Sequence, residues 1–536
     1  MVDAFESAMD RVVENATRIA EEMISKSPAV VEAGFNAIAQ TDGYKLDHRR
    51  QYPEGTQRVY SNWTARGSRI PEIDKVIFVG LQYAIQKRLM DDFVPFFKGD
   101  IDLICEKYQN MLNSYLGPNQ IGTEHIRALH KLGYLPLEFK ALPEGTRVPL
   151  RVPMFTVENT VDEFFWLTNY VETILSSELW MSMTSATNAA RIRENLNAWA
   201  TKTGEPLDGV GFQGHDFSMR GMAGADAANL SGLGHLVAFT GTETVPVLGF
   251  VDRYYKPKDG YFLAGTVPAT EHSVMCAGGE LSERETFERL LGLYPEGILS
   301  VVSDTWDFWG VLTNLLPSIK DQIMARDGKL VVRPDSGDPA DIICGTLKFP
   351  QDKERWPDVE GVNDNRTPEE KGAIEVLWDL FGGTVNEAGY KVLDPHIGLI
   401  YGDSMNYDRI EDICSRLEAK GFASTNWVAG LGSFGYQFQT RDTFGFAMKA
   451  TNVVINGEEK AIFKDPKTDN GLKKSLKGRI AIRTNADGTL VALDDSLAKH
   501  REETVQSGTD LLTTVWKNGT FYKKYGIDEV RENAGF

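Results

Sequence analysis

From about residue 208 onward, short apolar runs alternate with polar loops. The runs are Val210-Gly-Phe212, Leu236-Val-Ala-Phe-Thr240, Gly265-Thr-Val267, Leu299-Ser-Val-Val302, Leu330-Val-Val332, Ile397-Gly-Leu-Ile400 and Trp427-Val-Ala429. Helix-like stretches lie between most of them, such as Glu283 to Leu293 and Tyr407 to Lys420. Apolar strands alternating with helices indicate a parallel sheet. Seven such strands, with Phe446 to Val454 as a candidate eighth, fit an α/β fold built on an irregular (β/α)8 barrel. In that fold the chemistry sits at the C-terminal ends of the strands. Here the Gly, Asp, His and Arg loops follow the apolar runs directly. An open doubly wound sheet would gather such loops at one switch point instead.

The remaining chain reads as a flanking mixed α+β domain made of two segments. Residues 1–40 form a helical extension, with Phe5, Met9, Val12, Val13, Ala16, Ile19 and Met23 at helical spacing. Residues 41–180 mix short strands and helices. Arg147 to Val157 alternates like a strand, and its prolines place it at a sheet edge. Trp166 to Met183 and Ala186 to Thr203 read as two helices, the second ended by Gly204 and Pro206. The barrel domain takes residues 181–455. Residues 345–395 are a polar surface excursion within it, with one helix near Glu369 to Phe381. Residues 456–536 return to the flanking domain, with strands around Arg479 to Arg483 and Thr513 to Lys517.

A chain of 536 residues fits two or three structural units. Its net charge of −19 argues against nucleic-acid binding. A small anionic substrate stays open, because a local group of Arg and Lys can oppose the global sign. Cys105, Cys276, Cys344 and Cys414 form no CxxC pair, so they read as buried reduced thiols rather than a zinc site or disulfide framework. No apolar stretch approaches the roughly 20 residues a membrane span needs. No basic segment followed by an apolar one opens the chain. The expected compartment is therefore the cytoplasm.

The polar loops suggest phosphate chemistry. Arg333 opens Arg-Pro-Asp-Ser-Gly337 straight after a strand, where its fork can hold phosphate oxygens. Asp335 in the same loop can orient a cation or a substrate hydroxyl. Asp304 and Asp403 also follow strands, and three carboxylates at one barrel mouth repel unless a cation sits among them. Carboxylates with phosphate suit Mg²⁺. His272, after Glu271, can serve as acid, base or nucleophile. His215 reads as a structural hydrogen-bonder. The turn Gly430-Leu-Gly432-Ser433-Phe-Gly435 can cradle a phosphate on its backbone N–H groups. Arg441 and Lys449 follow close behind. Lys473, Lys474, Lys477 and Arg479 read as a solvated basic face.

Ten collinear motifs resemble the nicotinamide phosphoribosyltransferase family. They are Thr41-Asp-Gly-Tyr-Lys45, Gln51-Tyr-Pro53, Gly80-Leu-Gln82, Thr156-Val-Glu-Asn159 and Gly214-His-Asp-Phe217, then Pro268-Ala-Thr-Glu-His-Ser273, Val301-Val-Ser-Asp304, Arg333-Pro-Asp-Ser-Gly337, Lys464-Asp-Pro466 and Lys477-Gly-Arg479. The resemblance implies a homodimer with shared active sites, in which nicotinamide and phosphoribosyl diphosphate give nicotinamide mononucleotide and diphosphate. It implies that Phe217 and a Tyr44 from the other subunit sandwich the pyridine ring, with Asp42 nearby. Arg66, Arg220, Arg333, Arg441 and Lys449 would hold phosphate and diphosphate. Gly402, Asp403 and Ser433 would hold the ribose and 5′-phosphate. Asp304 and Asp335 would lie near the ribose and Mg²⁺. His272 would be phosphorylated by ATP, a coupling cosubstrate that the reaction does not strictly require.

The sequence departs from this family in several places. Glu243 stands where the family has an Asp that accepts from the carboxamide. Ser433 replaces a Gly, and Ser218 and Met219 replace a Gly and an aromatic residue. Residues 1–40 and 345–395 are extra. A nicotinate-specific relative is the nearest alternative, but Glu243 would repel a carboxylate substrate. A non-catalytic binding dimer is opposed by the intact Arg, Asp and His set. A generic barrel enzyme would need a Schiff-base Lys or a two-metal cluster, and neither appears in these loops.

Overall fold

A computed structural model describes residues 13–14, 17–347, 365–402, 404–468 and 474–536. Asp403, Lys473, part of the 345–395 segment and the first apolar positions of the N-terminal extension lie outside the described residues. The chain divides into two units. One takes the residues up to Met183, together with Arg253–Lys256 and Arg441–Gly535; the other takes Thr184–Asp252, Pro257–Thr440 and Phe536.

The second unit is built on a curled, six-stranded, all-parallel sheet. Its strands are β1 (Gly214–Asp216), β2 (Gly241–Thr242), β3 (Glu296–Val302), β4 (Asp327–Arg333), β5 (Ile397–Tyr401) and β6 (Trp427–Leu431). They lie in the order β2-β1-β6-β5-β4-β3. Single parallel bridges, Gly241 to Gly265 and Ala269 to Ser300, link both edges of this sheet to the segment 265–269. That segment is a seventh stave with no ladder of its own. The expected eighth strand is absent from this sheet. Phe446–Ile455 instead pairs antiparallel with Thr56–Ala65 in the other unit.

Leu299, Val301, Leu330, Val332, Leu399, Trp427 and Leu431 put their apolar bulk into one buried core. Strands covered on both faces read as continuous apolar runs, which is why β3 to β6 were visible in the sequence. Two other runs were not strands. Val210–Gln213 is one helical turn, and Leu236 to Ala238 closes the helix Ala225–Ala238. The staves begin where those runs stop, because the apolar residues belong to helix ends buried in the core. The 345–395 segment is not wholly a surface excursion. Its helix Ala373–Phe381 buries Ala373, Ile374 and Leu377 in the same core.

The first unit carries a seven-stranded antiparallel sheet. Pro153–Asn159 lies between Thr56–Ala65 and Leu137–Ala141, so it is an interior strand and not an edge. Its proline occupies the first strand position, and Arg147–Pro149 is a separate short strand paired with Lys75–Ile77. Both prolines thus avoid a central ladder position. The two helices expected between Trp166 and Thr203 are largely one, Glu172–Lys202, because Thr184 and Ser185 break nothing. The N-terminal extension is more than one helix. Residues 17–25 are helical, and Ser27 then caps Pro28–Ala39 by accepting from the Val30 N–H. Thr513–Lys517 and Ala481–Thr484 are strands, as expected. All four cysteines are free, but Cys276 is exposed while the other three are buried. Among the described residues, no helix is long and apolar enough to cross a membrane.

Candidate active site

The C-terminal ends of β1, β4, β5 and β6 meet around a cavity of about 580 Å³. Phe217, directly after β1, is held in place when its backbone N–H donates to the Leu431 carbonyl on β6 at 2.9 Å. Asp216 is fully buried beneath it and accepts from the Ser218 N–H at 2.9 Å and Thr244 Oγ1 at 2.7 Å. The close packing of β6 against Gly402 and Phe217 depends on glycine. A Cβ on Gly430 would lie 2.5 Å from Gly402 Cα and 2.9 Å from Phe217 Cδ2. Only glycine lets two strand ends and an aromatic ring come this close.

Charge is arranged around that ring. Arg220, Arg333 and Arg409 bring guanidinium groups to the cavity wall, and Asp335 brings a carboxylate. The Gly402 and Gly432-Ser433 turns complete it. Arg333 Nη2 lies 3.6 Å from Asp335 Oδ2, and its buried Nε has no hydrogen-bond partner among the described residues. Such a fork has donors left for an anion.

Asp304 and His272 stand beside Asp335. The Asp304 side chain is 4 % exposed, and its Oδ2 accepts from the Asp335 N–H at 2.9 Å and Ser336 Oγ at 2.6 Å. Its Oδ1 is buried without a hydrogen-bond partner among the described residues. His272 Nε2 lies 4.0 Å from that Oδ1 and 4.0 Å from Asp335 Oδ2, and the imidazole is half exposed. Among the described residues, no three His, Cys, Asp or Glu side chains are grouped to cage a metal. Two carboxylates with one free buried oxygen nonetheless fit Mg²⁺, which binds through few carboxylates, keeps several waters and takes other ligands from phosphates.

Glu243 follows β2. His215 Nε2 donates to its Oε1 at 2.9 Å, and Thr266 Oγ1 donates to the same oxygen. Burial alone would raise this carboxyl. The hydrogen bonds from His215 and Thr266, with the charges of His215 and Arg333, outweigh it and hold the group below the usual carboxylate value.

The first unit has a cavity of its own, of about 230 Å³, whose cations are Arg66, Arg151, Lys449 and Lys474. Burial lowers the Lys449 ammonium from its ordinary value; Glu172 opposes this, while Arg66, Lys464 and Lys45 add to it. Crowded cations of this kind favour an anion. Lys474 is therefore part of a concave basic site. Arg479 is also not on a solvated face, since it pairs with Glu158 at 2.9 Å and Glu459 at 2.6 Å. Tyr44 is 66 % exposed, with its hydroxyl 3.3 Å from Asp42 Oδ2. Arg441 is exposed, 3.4 Å from Asp442.

Sequence reasoning missed Arg409 and Arg151. Arg409 sits in the first turn of the helix Tyr407–Ala419, where Asn406 caps by accepting from its N–H. A cation there opposes the helix dipole. That misplaced charge was the available signal. Its guanidinium donates to the Ser404 carbonyl and lies 5.8 Å from the Phe434 ring.

The model of the nicotinate phosphoribosyltransferase (NAPRTase) family matches residues 212–519, and that of the nicotinamide phosphoribosyltransferase N-terminal domain matches residues 36–137. A nicotinamide phosphoribosyltransferase of Acinetobacter baylyi is 48 % identical over 511 residues, covering 93 % of this chain and 97 % of that protein. One from Mycoplasma pneumoniae is 35 % identical, covering 85 % and 97 %. The crystal structure of a nicotinate-nucleotide pyrophosphorylase from Pyrococcus furiosus superposes with a TM-score of 0.50 at 14 % identity, covering 95 % of each chain. At that identity the likeness speaks for the fold alone.

Proposed function

The chain belongs to the nicotinamide phosphoribosyltransferase family, and we propose that the cavity at its parallel strand ends is where phosphoribosyl passes from 5-phosphoribosyl 1-diphosphate to nicotinamide. The observation that carries this reading is the convergence of Phe217, Arg333, Asp335, Asp304 and His272 on adjoining strand ends. We read the curled sheet and segment 265–269 as an irregular form of the (β/α)8 barrel.

Phe217 offers a flat apolar face to the pyridine ring. Glu243 accepts from the carboxamide N–H₂, and Arg333 donates to its oxygen. Arg220, Arg333 and Arg409 hold phosphate and diphosphate oxygens, and the Gly402 and Gly432-Ser433 turns offer backbone N–H groups to the ribose 5′-phosphate. The bond from ribose C1 to the diphosphate oxygen breaks, and the pyridine nitrogen forms its bond to C1. Asp335 and Asp304 face the positive charge that grows on the ribose between those events. Held ring and held ribose supply the rest through positioning. Asp304 and Asp335 are also the residues that would hold Mg²⁺, which supplies neutralising charge to the departing diphosphate.

His272 takes a phosphoryl group from ATP in this reading, which couples ATP hydrolysis to synthesis without being required for it. A second copy of the chain supplies Tyr44 and Asp42 against the pyridine ring, and Arg66, Arg441 and Lys449 against the phosphates. The protein works in the cytoplasm and, at a net charge of −19, does not take nucleic acid.

The test is product formation from phosphoribosyl diphosphate and Mg²⁺ with nicotinamide or nicotinate, each with and without ATP. Mononucleotide from nicotinamide, increased by ATP, is the expected result. A preference for nicotinate would overturn the amide assignment. No product from either would overturn the catalytic reading.

A further inference from the structure

Three short strand ends bring His215, Glu243 and Thr266 together. His215 sits on β1 and pairs in register with Gly241 of β2. Gly241 in turn bridges to Gly265, the residue before Thr266. The Glu243 N–H donates to the Asp216 carbonyl at 2.8 Å, which fixes the Glu243 backbone against β1. His235 Nε2 lies 2.8 Å from the Gly241 carbonyl and anchors the same stave from below. A Cβ on Gly241 would come within 2.4 Å of His215 Nδ1, so glycine there makes room for the imidazole.

An ionised carboxylate only accepts hydrogen bonds, so His215 Nε2 and Thr266 Oγ1 must both be donors to Glu243. Both address Oε1. Glu243 Oε2 takes no hydrogen bond among the described residues, and the side chain is 36 % exposed. The His215 ring lies 5.1 Å from Phe217, so the arrangement adjoins the proposed ring site.

We infer that His215 and Thr266 are positioning residues that clamp one oxygen of Glu243 and leave the other as the acceptor for the substrate's carboxamide. This rests on the reading of Glu243 as the amide acceptor. A glutamate has one more rotatable bond than an aspartate and loses more freedom when it must hold a ligand. Two donors on Oε1 fix that bond before substrate arrives, so less freedom is lost on binding. They also favour the ionised form, and a fixed carboxylate rejects an acid substrate by like charge. The longer side chain is thus held still by its neighbours, not merely tolerated.

The experiment compares KM, kcat and the nicotinamide-to-nicotinate preference for the full chain and for Glu243→Ala, His215→Ala, His215→Gln and Thr266→Val, with thermal melting as a folding control. His215→Ala and Thr266→Val should each raise the nicotinamide KM about tenfold, the loss of one charge-assisted hydrogen bond, with a much smaller change in kcat. The preference over nicotinate should narrow. His215→Gln, whose amide nitrogen can donate from the same side, should recover most of the loss. If Glu243→Ala weakens nicotinamide binding while both clamp variants bind it normally, the clamp is wrong. If Glu243→Ala changes neither KM nor preference, the assignment of Glu243 as amide acceptor is wrong at its root.

Discussion

Oδ2 of Asp304 accepts the backbone N–H of Asp335 at 2.9 Å, so one carboxylate ties together the loops that leave β3 and β4. The other oxygen of the same group, Oδ1, is buried, has no hydrogen-bond partner among the described residues and faces His272 Nε2 at 4.0 Å. One side chain therefore does two separable things, and substitution can separate them. Asp304→Asn keeps an acceptor for the Asp335 N–H but discards the charge. It should lower kcat about 100-fold, the scale seen when a group that stabilises transition-state charge is lost, with melting little changed. Asp304→Ala should lose the same activity and also melt several degrees lower. An Asn variant with normal kcat would show that Asp304 serves only the loop.

Glu144 gives a prediction about pH. It is fully buried and accepts from the N–H groups of Gly80 at 2.8 Å and Gln82 at 2.6 Å and from the Tyr255 hydroxyl at 2.7 Å. Burial raises its carboxyl to about 7, because these three donors only partly offset the desolvation. A raised carboxyl means that the folded protein holds its proton where the unfolded chain has released it. Stability from this group is then greatest below the ordinary carboxylate range and declines as pH rises toward about 7, where it levels off. The full change is on the order of 3 kcal/mol. Glu144→Gln should remove this decline, so its melting temperature relative to the parent chain should rise with pH across this range. An unchanged slope in that variant would assign the pH dependence elsewhere.

His272 offers a test of ATP coupling. Its imidazole is half exposed; Thr305 Oγ1 lies 3.5 Å from Nδ1, and the Asp304 and Asp335 carboxylates lie 4.0 Å from Nε2. A half-exposed histidine whose nearest contacts are this long can accept a phosphoryl group. His272→Ala should abolish the increase in product that ATP gives and should take up no label from γ-labelled ATP. Labelling that persists in this variant would place the phosphoryl acceptor on another residue.

Much of this was legible in the sequence, for physical reasons that also explain the misses. Leu330 to Val332 and Ile397 to Ile400 are buried on both faces, so their apolar runs announced both the strands and the loops after them. Arg333, Asp335 and Asp304 came with those strands. The staves Gly214–Asp216 and Gly241–Thr242 are too short to show a period, and the apolar residues before them belong to helix ends. The Glu243 clamp was therefore hidden. Its partners lie 28 and 23 residues away and meet only through the register of those staves. The Glu172–Lys202 helix was split because its middle is rich in Ser, Thr and Ala, residues that weaken an amphipathic pattern without ending a helix.

Arg409 carries the remaining prediction. Its position in the first helical turn costs dipole energy, yet the side chain lies on the cavity wall beside Gly402 and Ser433. A phosphate at that wall would favour both the helix N-terminus and the guanidinium. Among the described residues no carboxylate pairs with Arg409; its guanidinium meets the Ser404 carbonyl and the Phe434 ring. Arg409→Ala should raise the KM for phosphoribosyl diphosphate about tenfold, the loss of one charge-assisted contact, and leave the KM for nicotinamide unchanged. Arg409→Lys should recover only part of this, because an ammonium cannot make the bidentate contact. Since Arg409 also holds the Ser404 loop, inhibition by inorganic phosphate distinguishes the two roles. A variant that only loosens the loop should disturb nicotinamide and phosphate alike, whereas loss of a phosphate ligand should weaken phosphate inhibition in step with the higher KM.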